Sequence, residues 1–174
     1  KGETIFYLIM SVFLSFFCLF AFVLFPNYQY FHLDTAYAKY LGSLYPNLKW
    51  FILLLSNWSF SLFYIIAELW PNAVFALLFW QFVNKITTVE ESKRFYPLFG
   101  LLGQTGLYIA GTFLMNLSNI SNYIIGNFAA NADKSVVSIQ IVISVVLVLG
   151  LLALVAFWLI NAKISIWIKT LMVK

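Results

Sequence analysis

Charge is scarce in this sequence. Asp, Glu, Lys and Arg make up 9% of 174 residues, where a soluble globular chain carries about 25%. With 63% hydrophobic residues, this deficit excludes an ordinary soluble domain and identifies an integral membrane protein. There is one cysteine, Cys18, so no disulfide can form within the chain. It sits in an apolar run and is expected to be a small buried hydrophobe. The only histidine, His32, has no metal-ligand partners near it in sequence and reads as an interfacial residue. No Gly-rich phosphate loop, zinc pattern, nucleophile elbow or kinase signature occurs. Nothing supports an enzyme, a metal or a cofactor. The net charge of +4 does not point to nucleic acid, because most Lys and Arg flank apolar spans as orientation anchors.

What is present is long apolar runs, punctuated by four prolines and edged with aromatics. Residues 4–25 form the first run, long enough at ~1.5 Å per residue to cross the ~30 Å hydrocarbon layer. Pro26-Asn27 stops it. Residues 26–48 follow as an interfacial loop rich in Tyr, Phe and Trp, an anchoring belt. In it, Asp34 is expected to cap a short helix ending at Gly42.

Residues 49–86 are too long for an ordinary span and short for two. Charge decides between these readings. If this stretch crosses once, Lys1, Lys85, Lys93, Arg94, Lys163, Lys169 and Lys174 share one side, against Lys39, Lys49 and Lys134 on the other. That is a positive-inside pattern. The reading is one long helix kinked near Pro71. A charged turn over 87–94 leads to a third span, 95–116, rich in small residues that permit close helix packing. A polar loop, 117–135, and a fourth apolar span, 136–160, precede a basic amphipathic tail, 161–174. The expected architecture is all-α, with four transmembrane helices and both ends cytoplasmic.

The most informative stretch lies in the second span. Asn57, Ser61, Tyr64, Glu68 and Asn72 recur at helical spacing and fall within roughly 80° of arc. The rest of that helix is apolar. Lipid cannot hydrogen-bond such a stripe, and burying its acid costs at least ~2.5 kcal/mol. The stripe therefore faces protein or a watery cavity, and Glu68 needs a partner. Gln104 and Tyr108, four apart, form a second polar face in the third span. Glu90, Glu91, Lys93 and Arg94 read either as a solvated turn or as a cytoplasmic gate.

Asn57-Trp58-Ser59-Phe60, Ala67-Glu68-Leu69-Trp70, Leu78-Phe79-Trp80 and the run from Thr88 through Glu90-Glu91-Ser92-Lys93-Arg94-Phe95-Tyr96-Pro97 to Gly100 resemble one family closely. They look like the non-mitochondrial ATP/ADP translocases, nucleotide transporters of obligate intracellular bacteria and plastids. The resemblance is densest over residues 50–112. It implies a major-facilitator-like carrier of about twelve helices, of which this chain is part of the amino-terminal half, helices three to six. It implies ATP and ADP as exchanged substrates, with phosphate a further candidate, and a transport role for Glu68. The expected location is a bacterial inner membrane, ahead of a plastid inner envelope. The expected neighbours are lipid and the carrier's remaining helices. Pro71-Asn72 departs from the small residues that the family places after that Trp. In this setting Asn57, Asn72 and Gln104 are candidates to read a base edge, and Tyr64 or Tyr108 to stack on it. Lys93 and Arg94 attract phosphate or pair with Glu90 and Glu91. A proton-coupled or broader nucleotide importer and a non-transporting membrane subunit are the alternative readings.

Overall fold

The computed structural model describes residues 2–74, 89–128 and 131–172, all helical or in short connections. Helix α1 is Gly2–Leu19, continued by a wide π-type turn over Phe20–Leu24. The short α2, Tyr28–Phe31, and α3, Thr35–Leu44, follow. After a 3₁₀ turn at Pro46–Leu48 come α4, Lys49–Ser56, and α5, Trp58–Pro71. The two longest helices are α6, Val89–Phe128, and α7, Lys134–Met172. Thr4–Leu24, Phe95–Phe128 and Lys134–Ala162 are each long and apolar enough to cross a membrane. Pro46–Ser56 with Trp58–Val74 passes the same test as a pair bent by 76°.

The first span is the hub. One side of α1 and its π-type turn packs on α5 through aromatic rings. Phe20 stacks on Phe63 with centroids 4.1 Å apart, and Phe13 and Phe17 meet Trp70 edge-on at 5.2 and 5.6 Å. Another side packs on α7, where Phe6 stacks on Phe157 at 4.0 Å. The two helices approach closely at Gly150. A Cβ added to Gly150 would meet the Leu14 side chain at 2.5 Å. The glycines expected to permit close packing, Gly100, Gly103, Gly106 and Gly111, have nothing within 4 Å of an added Cβ. Cys18 is exposed rather than buried. It lies with Ser11 and Ser15 on the face of α1 turned away from this core.

The end of α1 shows how proline shapes these spans. Pro26 has no N–H, and its ring would crowd the carbonyl one turn back. The turn widens, and Phe25 N–H donates to Phe20 O at 2.8 Å. The Ala21 carbonyl, on a fully buried residue, thereby loses its helical donor. Gln140 Nε2 of α7 reaches it at a long 3.4 Å. Asn27 Nδ2 closes the Val23 carbonyl at 2.9 Å.

Several boundaries differ from the sequence reading. Asp34 does cap α3, its carboxylate accepting from Ala36 N, but the helix runs past Gly42 to Leu44. Gly42 instead gives room to Lys49, whose Cγ would sit 3.1 Å from an added Cβ. Residues 89–94, read as a turn, are the first turns of α6, with Pro97 inside that helix. The polar stretch from 117 stays helical to Phe128. Its Ser and Asn side chains bond back one turn, as Ser121 does to Leu117 O and Asn127 to Tyr123 O, which satisfies the groups that favour loops. Ser121 is fully buried and meets Ser138 of α7 at 2.8 Å. The basic tail continues α7 without a break to Met172.

Candidate functional site

Among the described residues the sharp bend of the second span, 76°, falls before Trp58 rather than at the expected Pro71. The helix breaks at Asn57, whose φ of −113° and ψ of 40° leave the helical region. The cause is local. Ser56-Asn57-Trp58-Ser59 puts side chains that compete for backbone bonds into the middle of an apolar run, and the loop after α1 supplies partners. Trp58 Nε1–H donates to Phe31 O at 2.9 Å, and Leu33 N–H donates to Ser56 O at 3.3 Å. Between them, His32 Nε2 lies 2.7 Å from Ser59 Oγ, with Ser59 fully buried. The His32 ring sits edge-on to Phe60, 4.5 Å away. So the loop residues 31–33 staple the break. Sequence reading placed His32 at the interface and missed this role. The available signal was the polar four-residue interruption itself.

His32 Nδ1 is buried without a hydrogen-bond partner. Burial lowers the imidazole pKa below its ordinary value of 6.5. The staple therefore holds the neutral ring. Its contribution is complete above about pH 6.5 and is lost as pH falls below that, because the released ring takes up a proton more readily than the stapled one. Protection of the amides at residues 31–33 and 57–60, taken relative to intrinsic exchange at each pH, should fall between pH 7.5 and 5 in the parent protein. In His32→Gln that protection should be lower at pH 7.5 and nearly flat across the range.

Beyond the break, α5 sorts its faces. Phe63, Ile66, Ala67 and Trp70 pack toward α1. Ser61, Tyr64, Glu68 and Asn72 lie about 150° around the helix from that face. Tyr64 is 71% exposed, and Glu68 is exposed with no ion pair or hydrogen bond to its carboxylate among the described residues.

The stripe's other members are partly committed to the backbone. Asn57 Nδ2 donates to Leu53 O at 3.1 Å, and Asn72 Nδ2 to Glu68 O at 3.1 Å. Ser61 Oγ reaches across the break to Leu54 O at 3.1 Å. This repairs the carbonyl that the break orphans. Glu68 and Tyr64 are thus the stripe's uncommitted side chains. Gln104 and Tyr108 are exposed on α6, and neither bonds nor stacks with α5 among the described residues. Lys93 is exposed near the start of α6. The side chains of Glu90, Glu91 and Arg94 lie outside the described residues, as do residues 75–88 of the expected second span.

Comparison with known proteins gives the context for this acid. A family model described as TLC ATP/ADP transporter matches residues 1–173. The chain is 63% identical over 164 residues to ADP,ATP carrier protein 4 of Rickettsia bellii, covering 94% of this chain and 32% of that protein. It is 64% identical to its namesake in Rickettsia prowazekii over the same shares. To ADP,ATP carrier protein 5 of Rickettsia bellii it is 45% identical over 139 residues, covering 80% of this chain and 28% of the relative. No solved structure matches. The chain thus spans about a third of the length of the curated relatives it matches. With the family model matching nearly end to end, this chain belongs to the TLC ATP/ADP transporter family.

Proposed function

We propose that this chain is part of a carrier that exchanges ATP and ADP across a bacterial inner membrane by alternating access, as a secondary transporter. Relatives named ADP,ATP carriers support the substrates. One structural observation carries the site. An acid stands in α5, half of a bent helix pair that together is long and apolar enough to cross a membrane, on the side opposite its packed face, with no partner in the described part of the molecule. Such a carboxylate is costly against lipid. It belongs against helices of the full-length protein, across a central water-filled path.

In this reading the chain supplies four spans of a major-facilitator-like half: 4–25, 49–86, 95–116 with its helical extension, and 136–160. Glu68 pairs with a lysine from another helix. A nucleotide phosphate captures that lysine, breaks the pair and couples binding to the change of access. Tyr64 and Tyr108 offer ring faces for the base, and Gln104 offers an amide for its edge. Asn57 and Ser61 shape the break, and Asn72 closes the end of α5. Lys93 and Arg94, with Glu90 and Glu91, form the cytoplasmic gate.

Labelled ATP uptake by intact cells expressing the full-length protein tests this. Uptake should be driven outward again by an ADP chase and unaffected by a proton uncoupler. Retention of label under ADP, with collapse under the uncoupler, would replace exchange by proton-coupled import.

A further inference from the structure

We infer that the elbow between α3 and α4 is a binding site for the headgroup of an anionic phospholipid. The inference rests on the membrane reading above, but not on which solute the carrier moves.

An open cavity of about 410 Å³ lies there, lined by Lys39, Gly42 and Ser43 from α3 and by Lys49, Trp50 and Leu53 from α4. Two lysines thus converge on one hollow from separate helices. Neither has an acid within ion-pair distance among the described residues. The acid nearest in sequence to Lys39, Asp34, spends its carboxylate on the N-terminus of α3. Gly42 lets the Lys49 stem pack closely on α3, since its Cγ would lie 3.1 Å from a Cβ there.

The walls say which anion fits. The Lys49 ammonium stands 5.8 Å from the centre of the Trp50 ring, and Trp50 is 79% exposed, its indole N–H unpartnered among the described residues. The hydroxyl of Ser43 is not a free donor, since it bonds Tyr40 O at 2.6 Å. So positive charge comes from the lysines alone, beside apolar Leu53 and the indole. Tyr37, Tyr40 and Tyr45 are more than half exposed around the same elbow. Exposed Tyr and Trp at the mouth of a span sit at headgroup depth. A phosphodiester on the lysines, with its acyl chain along Trp50 and Leu53, satisfies both halves of the cavity. A free phosphate satisfies only one.

Native mass spectrometry of the full-length carrier, titrated with phosphatidylglycerol, tests the site. Lys39→Gln/Lys49→Gln keeps the Cγ that packs on Gly42 and removes both charges. It should weaken retention of one lipid about thirtyfold, roughly fivefold for each lysine near an anionic surface. Lys39→Arg/Lys49→Arg should retain it. Unchanged retention in the Gln pair overturns the assignment. So does displacement of the lipid by millimolar inorganic phosphate, which would make the cavity a site for the free anion. Nucleotide exchange by the same variants is read separately. Failure of the lipid site and failure of the carrier reading therefore give different results.

Discussion

Glu68→Gln in the full-length carrier should reduce ATP exchange by two orders of magnitude or more, with the protein still present in the membrane at the parent level. Gln keeps the shape of Glu and its hydrogen-bonding reach but not its charge. Among the described residues no hydrogen bond or ion pair reaches the Glu68 carboxylate, and it lies off the face that packs on α1, so its loss leaves the packing of α5 on α1 intact. In the proposed pairing the partner is what suffers. A lysine held against Glu68 in the occluded state, shut off from the water-filled path, becomes an uncompensated charge, at a cost of about 3–5 kcal/mol, or more than a hundredfold in an equilibrium that transport must traverse. Glu68→Asp, which keeps the charge but shortens the reach, should recover part of the rate. Unchanged exchange in Glu68→Gln would remove the acid from the mechanism. Tyr64→Phe is the companion test. It keeps the ring, so stacking on a base predicts a mild effect, whereas a hydroxyl contact predicts a large rise in KM.

The second large effect is on assembly. Gly150→Leu should destabilise the purified carrier by about 3 kcal/mol or more, the upper range for overpacking a fitted interface. The argument is geometric. Even a bare Cβ at Gly150 would sit 2.5 Å from one Leu14 methyl and 3.1 Å from the other. An alanine can be taken up by turning the Leu14 tip, a small cost. Four extra carbons cannot, and α1 must move off α7. Leu14 is itself buried in that contact, so Leu14→Ala in the Gly150→Leu background should restore part of the loss. Thermal unfolding followed by size-exclusion recovery reads both. An additive double variant would show that the two positions do not share the contact.

These two residues mark what the sequence discloses and what it hides. The acid was visible because composition makes it conspicuous: a carboxylate in an apolar run has few physical explanations. The helical class followed from run length against bilayer thickness. Gly150 was not visible. A glycine in a β-branched apolar span looks the same whether a neighbour presses on it or not, and the glycine-rich face of α6 made the stronger pattern while meeting nothing in the described structure. The break at Asn57 was hidden for a related reason. Proline advertises a kink by its own chemistry, so Pro71 drew the expectation. The bend at Asn57 depends on Phe31, His32 and Leu33, more than twenty residues away. Periodicity within one helix cannot register a staple supplied by another segment. The helical run through residue 128 was obscured by its Asn and Ser content, since local side-chain bonding is not readable from composition alone.

The Pro–Asn pairs at 26–27 and 71–72 carry a last consequence. Each proline takes away a main-chain donor, and each following asparagine hands one back to the preceding turn, at Val23 and at Glu68. Both of these bonds lie within the segment itself. As the chain leaves the ribosome, either segment can enter the bilayer with those two carbonyls already satisfied, before any later helix has been made. The Ala21 carbonyl, which Gln140 of α7 reaches, still waits for that helix, and the charged and close-fitting contacts wait for the rest of the molecule.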